Sequence, residues 1–365
     1  MSALRSDASF DGIVNQNRAH QLSVLAHALA DMADDDERIV AGSADLKVST
    51  QMSEFEKRHP DRFYQFGISE RNMIGAAAGM ASCGLRPYVA TFAAFSGLLA
   101  FENIRTDLAY TKMPVRVLAT HAGISTGYFG TSHHALEDIS ATRAVANLVV
   151  LSPCDGHSAA ELIRQTQDLD APIYIRLGRG REAAVYGESP RVEFGQHHVL
   201  RRGSDLAIFA TGLMVAHAVH AAEELASAGV DATVVDVHTL KPFDVASAVE
   251  IASGCRAVVT VEEHNTEGGL GTILRDALGG RGCPTPVYKH GIHDEYSIVG
   301  VPSHLYEYYG LDGHGVATVA SRVLEAVDSG RFFDREEERI WAAPDRAEAM
   351  EAVRSRSERA KSVPT

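Results

Sequence analysis

Glu70 is the first residue whose position suggests chemistry. It follows a short run of strand-forming residues and stands directly before a stretch of small side chains, Gly75 to Gly79. Glycine and alanine allow two backbones to approach closely, so this helix is expected to pack in the interior or at a subunit interface, where water around Glu70 is scarce. Two interpretations remain open: a reactive carboxyl group, or a helix N-terminal charge favoured by the macrodipole.

Further candidates follow other predicted strands. Open α/β sheets bind their ligands at the carboxyl ends of the strands. The residues expected there are Asp45, Glu70, Phe92, Phe95, His121, His133, His134, Arg176 and Arg179. Each has a structural explanation when it is taken alone, since phenylalanines are usually core residues and an arginine-rich segment can simply be solvated. Their convergence on one edge of a sheet favours a functional site.

The elements that would carry these residues alternate between strands and helices. Strands are predicted at 38–41, 63–66, 87–92, 115–121, 148–152 and 173–177, and helices at 13–36, after Glu70, at 97–108 and at 158–169. Residues 51–61 form a short helix or a loop. Short β-prone strands that alternate with helices predict parallel βαβ units.

A second α/β unit follows a segment rich in glycine, arginine, glutamate and proline. Its strands are predicted at 206–210, 232–236, 257–261 and 285–289, and its helices at 213–228, 244–252, 268–278 and 314–328. The fold class is therefore α/β with two doubly wound domains. The expected boundaries are 13–180 for the first domain, 181–196 for a linker, 197–330 for the second domain and 331–365 for a charged C-terminal arm.

Composition excludes several classes of function. The chain has 365 residues and a net charge of −14 without a large basic cluster, which argues against nucleic acid or an anionic membrane as the main partner. Its apolar runs are too short to span a bilayer, and its N-terminus lacks the apolar core of a signal peptide. Four scattered cysteines indicate a cytoplasmic protein with reduced thiols. Glu262, Glu263 and His264 follow a predicted strand but lack the fourth ligand of a structural zinc site.

Several segments, in this order, resemble the second half of transketolase. They are GSADL (42–46), FGISERNM (66–73), TFAAF (91–95), THAGISTGYFGTSHH (120–134), PIYIRLGR (172–179), HTLKPFD (238–244) and VEEHNTEGGLG (261–271). The resemblance covers residues 13 to about 328 and implies a pyrimidine-binding domain for thiamine diphosphate, followed by a transketolase-type C-terminal domain.

The family holds the diphosphate of this cofactor, with Mg²⁺, on a separate domain that carries a Gly-Asp-Gly motif. This chain has no such motif. The resemblance therefore implies the C-terminal subunit of a split transketolase, active only with an N-terminal, diphosphate-binding partner subunit that supplies the Mg²⁺ ligands. A heterotetramer of two copies of each chain, in which this chain also homodimerises, is what the family implies.

The resemblance also assigns the cofactor contacts. Glu70 matches the carboxylate that hydrogen-bonds the aminopyrimidine ring nitrogen, where a protonated, desolvated carboxyl group donates a hydrogen bond and favours the tautomer that activates the cofactor. The other matching positions are Asp45, Leu46, Phe92 and Phe95. The two phenylalanines would pack against the pyrimidine ring. A third aromatic position of the family's pocket is occupied by Leu98.

Four positions match residues that bind the sugar phosphate, namely Arg18, Ser49, His121 and Arg179. Arginine suits phosphate because its planar fork donates two charge-assisted hydrogen bonds. His133 matches the histidine beside the reacting carbonyl oxygen, and its neighbour His134 is an alternative. The family places an aspartate in the preceding loop to bind a substrate hydroxyl, but this chain has Phe129. We therefore expect an unusual acceptor: a branched, deoxy or amino sugar phosphate, or an aldehyde without that hydroxyl.

The favoured interpretation is a transferase that moves a two-carbon ketol unit between sugar phosphates. PIYIRLGRG also resembles the arginine-bearing strand of deoxyxylulose-phosphate synthase, and the β-subunit of a 2-oxoacid dehydrogenase is another possible relative. The synthase is normally one continuous chain, however, and a dehydrogenase would not need sugar-phosphate arginines. A scaffold protein that has lost its chemistry is disfavoured, because the matching carboxylate, phenylalanines and histidines are all present.

Overall fold

The computed structural model describes residues 21–180, 183–187 and 190–331. Arg18, the start of the first predicted helix, part of the linker and nearly all of the C-terminal arm lie outside these ranges. Among the described residues, no helix is both long and apolar enough to cross a membrane. All four cysteines are described, and all are free thiols.

The first unit is built on a parallel sheet. Its strands are Ile39–Ser43 (β1), Phe63–Gln65 (β2), Arg86–Phe92 (β3), Arg116–Thr120 (β4), Val149–Leu151 (β5) and Ile173–Arg176 (β6). They pair in the order β5-β6-β4-β3-β1-β2, and every one of these pairs is parallel. The interior strands β1 and β4 are buried along their whole length, which suits strands covered by helices on both faces.

Helices cover this sheet on its two faces. In chain order they are Gln21–Asp35 (α1), Ser53–Arg58 (α2), Glu70–Ser82 (α3), Phe101–Asn103 (α4), Asp138–Ala144 (α5) and Gly156–Gln165 (α6). α1 buries Leu22, Leu25 and Leu29 at helical spacing, and its apolar face packs with α6 in one core cluster. α6 begins with a capping box between Asp155 and Ser158.

The small-residue helix α3 packs one face into a different core cluster. Its buried residues after Glu70 are Met73, Ile74, Ala77, Ala78 and Ala81. Arg71, Asn72 and Gly79 lie on the opposite, exposed face. The close packing expected from glycine and alanine therefore holds for half of the helix circumference, and the other half faces solvent in the single chain.

The segment after β3 is not the ordinary helix predicted over 97–108. π-helical turns, Phe95–Leu99 and Ile104–Tyr110, flank the short α4. A π turn carries one extra residue per hydrogen-bonded ring, so it shifts the side chains on one face relative to an α-helix. Such turns are frequent at functional sites, and the first of these begins at the candidate residue Phe95.

The second unit has its own sheet and helices. Its strands are His198–Arg201 (β7), Leu206–Ala210 (β8), Ala232–Asp236 (β9), Thr239–Lys241 (β10), Ala257–Asn265 (β11) and Val287–Ile292 (β12). Its helices are Met214–Ser227 (α7), Val245–Ser253 (α8), Leu270–Gly279 (α9), Pro302–Tyr308 (α10) and Gly313–Asp328 (α11). The sheet order is β12-β11-β8-β9-β7, with β7 antiparallel at one edge. Both units are α/β, as predicted.

One strand of the second unit joins the sheet of the first. β10 pairs antiparallel with β5, with Thr239 opposite Leu151, and so completes a seven-stranded sheet. The Ser152 amide donates to the His238 carbonyl at 2.8 Å and thereby extends this junction. The second unit is therefore fixed to the first by backbone hydrogen bonds as well as by side-chain packing.

Three further differences from the predicted elements bear on the site. β11 continues to Asn265, so Glu262, Glu263 and His264 lie within a strand and not after one. The helices α5 and α10 and the strands β7 and β10 were not predicted. The strand expected at 285–289 begins at Val287 and continues to Ile292.

Candidate active site

The carboxyl ends of the parallel strands bring the predicted site residues to one edge of the first sheet. Phe92 ends β3 and lies opposite Thr120, the last residue of β4. His121 is the next residue after Thr120, so it lies beside Phe92. Arg179 comes three residues after β6 ends at Arg176, and Arg176 pairs with Ala119 of β4. The common register explains why side chains from distant parts of the sequence meet here.

Phe92 and His121 form the centre of an aromatic cluster. Their ring centroids are 4.0 Å apart and the planes are inclined by 27°. The ring of Phe95 stacks on that of Phe92 at a centroid distance of 5.6 Å. Offset stacks of this kind stabilise a fixed ring orientation. The convergence expected for Phe92, Phe95 and His121 is therefore observed.

His133 reaches the same cluster from the end of a long loop. Its imidazole meets Phe95 edge-on at 5.2 Å and stacks on Phe129 at 4.9 Å, with an interplanar angle of 25°. The sequence indicates only that Phe129 occupies the position of the family aspartate. Its contact with His133 is a feature that the sequence did not reveal, because it depends on how the loop folds back.

The backbone at His121 is unusual. Its φ is 58°, in the left-handed region that side-chain-bearing residues rarely adopt. The His121 amide donates to the Gly178 carbonyl at 3.1 Å, and its Nδ1 lies 3.0 Å from the Thr120 hydroxyl. Asp45 has a similar φ of 63°. Strained backbone of this kind persists where surrounding contacts hold it, and it clusters at functional sites.

Glu70 is the first residue of α3 and is 6% exposed. Its carboxylate makes no hydrogen bond or ion pair within residues 21–180, 183–187 and 190–331. The neighbouring Arg71 donates from Nε to the Leu99 carbonyl at 3.0 Å, which ties the start of α3 to the π turn that carries Phe95. The carboxyl oxygens of Glu70 are not among the fully buried side-chain atoms that lack a hydrogen-bond partner, so they reach the surface of the site and are accessible to a ligand.

The remaining predicted contacts lie on loops at the same edge. Asp45 and Ser49 are exposed and Leu46 is half-buried, on the loop after β1, where the Asp45 amide donates to Gln65 Oε1 at 2.7 Å. Arg179 is half-buried and follows Gly178, the residue that accepts from His121. The structure thus places these residues at the expected edge, on loops that a bound ligand could reach. Arg18 lies outside the described ranges.

Two candidates turn away from the cluster. His134 is buried, and its Nδ1 is hydrogen-bonded to the Ser297 hydroxyl of the second unit, while burial lowers its pKa below the ordinary 6.5. Arg176 is buried in an ion pair with Asp138, with Nε 3.0 Å from Oδ2. His134 and Arg176 are therefore structural residues, and His133 is the histidine of the adjacent pair that faces the rings.

In the part of the chain that the structure describes, neither the aromatic cluster nor the second unit offers a metal centre. Across the ranges that the structure describes, no group of three histidine, cysteine, aspartate or glutamate side chains could hold a metal ion. Glu262 instead accepts from the Leu270 and Gly271 amides at 2.6 and 2.9 Å, at the start of α9.

The site can bind and orient an aromatic heterocycle and an anionic substrate, and it can exchange protons with them.

Two family matches cover most of the chain. Residues 21–182 match the pyrimidine-binding domain of transketolase, and residues 195–316 match the transketolase C-terminal domain. A putative transketolase C-terminal section from Methanocaldococcus jannaschii is 38% identical over 292 residues, which are 79% of this chain and 90% of that protein. A 6-deoxy-6-sulfo-D-fructose transketolase subunit from Clostridium sp. is 36% identical over 297 residues, or 81% and 92% of the two chains.

A solved structure and a longer relative agree with this assignment. A split-gene transketolase, described as an inactive β4 tetramer, has a TM-score of 0.77 at 38% identity, and the match covers 83% of this chain and 97% of that one. The 1-deoxy-D-xylulose-5-phosphate synthase of Caldanaerobacter subterraneus is 34% identical over 327 residues, or 89% of this chain. This chain spans only 52% of the synthase, whereas it spans at least 90% of the two transketolase relatives.

Proposed function

The chain belongs to the transketolase family, and we propose that it is the pyrimidine-domain subunit of a two-chain transketolase. In this function it acts with a second polypeptide to move a two-carbon ketol unit between sugar phosphates, with thiamine diphosphate as cofactor. The observation that carries the proposal is the buried Glu70 carboxyl group, which has no partner among the described residues and lies at the sheet edge that presents the aromatic cluster.

The residues present fit the pyrimidine half of the cofactor. When bound, thiamine diphosphate would supply the carbon nucleophile and the electron sink for cleaving and forming the C–C bond. Glu70 would hold a proton and donate it as a hydrogen bond to the pyrimidine ring nitrogen. Phe92 and Phe95 would fix the tilt of that ring, and Asp45 and Leu46 would contact it from the loop after β1.

Histidines and arginines would then bind and orient the substrate. His133 would donate to the reacting carbonyl oxygen or exchange its proton, since imidazole can do both near physiological pH. The sugar phosphate would be bound by His121, Ser49, Arg179 and Arg18, the two arginines through charge-assisted hydrogen bonds to the phosphate. Stacking by Phe92 and Phe129 would keep the two imidazoles in fixed orientations while they act.

Phe129 bears on the choice of acceptor. Its side chain is 55% exposed and covers one face of His133, so it lines the approach to the proposed reacting oxygen. A phenyl ring cannot accept a hydrogen bond from a substrate hydroxyl as an aspartate can. We therefore propose an acceptor without that hydroxyl or with an altered carbon there: a branched, deoxy or amino sugar phosphate, or a simpler aldehyde.

The partner polypeptide would carry the diphosphate and Mg²⁺ ligands. Apolar side chains near Glu70 offer it a surface: Ile68 is 85% exposed, and Leu98 and Leu99 are exposed on the π turn that Arg71 holds. Large exposed apolar residues that cluster in this way mark interaction sites. We propose an assembly of two copies of each chain, in which this surface closes the cofactor site against the partner.

A synthase-type reaction is the second candidate, because the similarity to deoxyxylulose-phosphate synthase extends over 89% of this chain. The two functions differ in donor chemistry. A transketolase takes its two carbons from a ketose phosphate, whereas the synthase decarboxylates pyruvate.

Reconstitution tests the proposal. The chain is to be co-purified with a polypeptide that carries the Gly-Asp-Gly diphosphate domain, and assayed with thiamine diphosphate, Mg²⁺, a ketose phosphate and a panel of aldehydes. Ketol transfer by the complex and none by the isolated chain is the expected result. Release of CO2 from pyruvate, with no transfer from a ketose phosphate, would favour the synthase instead.

A further inference from the structure

The loop that joins His121 to His134, residues 121–134, makes several of its contacts with the second unit. We call it the histidine loop. Its base is closed by an antiparallel bridge between Gly123 and Ala135, with amide-to-carbonyl distances of 3.1 and 3.0 Å. Beyond this bridge, Ile124 is fully buried and packs in the core cluster of the second unit, together with Leu136. A loop that carries two candidate histidines is thus anchored in another domain.

Glu263 of the second unit contacts the histidine loop at Gly123 and Ile124. Glu263 of β11 is 1% exposed, and its Oε1 accepts a hydrogen bond from the Ile124 amide at 2.7 Å. The same oxygen accepts from the Tyr306 hydroxyl at 2.9 Å. Gly123 has a φ of 63°, and a Cβ atom at this position would collide with the Glu263 carboxylate. The backbone of the loop therefore rests on the carboxylate without any side chain between them.

Other contacts from the second unit hold the far end of the loop. The Ser297 hydroxyl is hydrogen-bonded to His134, which immediately follows His133. Gly127 packs against Gly300 and Pro302 so closely that a side chain would not fit. The middle of the loop and its His133 end are therefore positioned by contacts to a domain that supplies no residue of the proposed site, while the His121 end is also held by the Gly178 carbonyl of the first unit.

We propose that Glu263 is a positioning residue, which through the Ile124 amide fixes the histidine loop and thereby orients His121 and His133 for the reaction. The effect of Glu263 on the reaction rests on the proposed function. Its contact with the histidine loop does not. A displacement of about 1 Å at a reacting group can cost on the order of 100-fold in rate.

The preceding residue provides a matched control. Glu262 is also a fully buried carboxylate in β11, and it also accepts backbone amide hydrogen bonds, but these come from the start of α9 in the second unit. Successive residues of a strand point to opposite faces, which explains why the neighbours serve different segments. Loss of Glu262 therefore weakens the second unit without removing a contact to the histidine loop.

Two measurements on Glu263→Ala, Glu263→Gln, Tyr306→Phe and Glu262→Ala test the proposal. The first is amide hydrogen exchange of the full-length chain, followed at peptides that cover 122–134. We expect exchange there to accelerate by at least about tenfold in Glu263→Ala, to a smaller extent in Tyr306→Phe, and not in Glu262→Ala, which should accelerate exchange at α9. In Glu263→Gln the side-chain amide oxygen can still accept a hydrogen bond from the Ile124 amide. The exchange rate over 122–134 in this variant should therefore stay close to that of the wild type.

The second measurement is the kinetics of the reconstituted complex. Glu263→Ala should lower kcat/KM for the acceptor by about 10- to 100-fold with unchanged cofactor affinity. Glu263→Gln should keep kcat/KM within about threefold of the wild-type value. Equal losses in Glu263→Ala and Glu262→Ala, or unchanged exchange over 122–134 in Glu263→Ala, would overturn the proposal. A wild-type complex without transketolase activity would refute the proposed function alone, since the exchange measurement still decides whether Glu263 holds the loop.

Discussion

The ring of Phe92 stacks on the imidazole of His121 at a centroid distance of 4.0 Å. In the proposed function, Phe92 packs against the pyrimidine of the cofactor and His121 binds the sugar phosphate. The stacked pair then forms a wall between the cofactor and substrate sites. A change at Phe92 should therefore affect both.

Replacing Phe92 by leucine should weaken cofactor binding and acceptor turnover together. Aromatic pairs contribute about 0.5–1.5 kcal/mol beyond the burial of area, so we expect a loss of up to about tenfold in each quantity. Cofactor affinity can be followed by activity titration, and kcat/KM by varying the acceptor. Phe55→Leu is the control, because Phe55 is fully buried and packs in the same core cluster as α1. Equal effects of the two variants would contradict the shared wall.

Replacing Glu70 by glutamine or alanine should abolish most ketol transfer in the reconstituted complex. General acid–base groups contribute about 10²- to 10⁴-fold to rate, and we expect losses in this range. Because the buried carboxyl has no partner in the described chain, its removal should not lower the free energy of unfolding measured in urea. Glu102→Gln, at an exposed carboxylate paired with Arg105, should behave as wild type. Full activity in both Glu70 variants would refute the assigned role.

Much of the scaffold could be predicted, because it depends on local patterns. Continuous apolar strands such as β4 and the amphipathic α1 are visible in the sequence, and the parallel topology then brings Phe92 and His121 to one edge. β10 was missed because three residues carry no strand signal of their own, and its partner β5 is distant in the sequence. The π turn at Phe95 was missed because its sequence reads as an ordinary helix.

The site itself was predicted less completely than the scaffold. His133 and His134 are adjacent in a loop without periodicity, so no pattern could indicate that one faces the rings and the other the Ser297 hydroxyl. Arg176 reads as a strand-end candidate, but a buried Asp138 from the unpredicted α5 pairs with it. The Glu263 contact joins residues 139 positions apart and depends wholly on tertiary structure.

Arg179 variants test phosphate recognition. Arg179→Ala should raise the KM for a sugar phosphate by about 10- to 100-fold, since hydrogen bonds to charged groups contribute about 1.5–3 kcal/mol. Arg179→Lys should be intermediate, because an ammonium group keeps the charge but loses the bidentate geometry. The KM for an unphosphorylated aldehyde should stay unchanged in both variants. A similar increase for phosphorylated and unphosphorylated acceptors would exclude a phosphate contact.

Asp236 should make stability dependent on pH. Burial raises its pKa from the ordinary 3.8 to about 7, while the Tyr186 hydroxyl donates to Oδ2 at 2.8 Å. Between these pH values the folded state keeps a proton that the unfolded state has released. The contribution of this group to the free energy of unfolding is therefore fully present below about pH 4 and is lost as the pH rises through about 7.

The Asp236→Asn variant isolates this effect, because asparagine cannot ionise. Its free energy of unfolding relative to wild type should rise between about pH 4 and about pH 7.5, by up to about 4 kcal/mol. Urea denaturation at several pH values provides the measurement. The buried histidines His197 and His238, whose pKa values burial lowers to about 4 and about 3, are common to both proteins and cancel in the difference. A difference that does not change with pH would show that Asp236 is ionised throughout.

Phe129→Asp should restore the ability to bind the substrate hydroxyl that the family aspartate binds. Phe129 covers one face of His133, and a carboxylate there could accept a hydrogen bond that the phenyl ring cannot. We expect the ratio of kcat/KM for ribose 5-phosphate to that for an acceptor without this hydroxyl to rise by at least about tenfold. Tyr128→Asp is the control, since Tyr128 is similarly exposed on the loop but has no ring contact with His133 among the described residues. A wild-type complex that already prefers ribose 5-phosphate, or an equal shift in both variants, would rule out Phe129 as the determinant of acceptor choice.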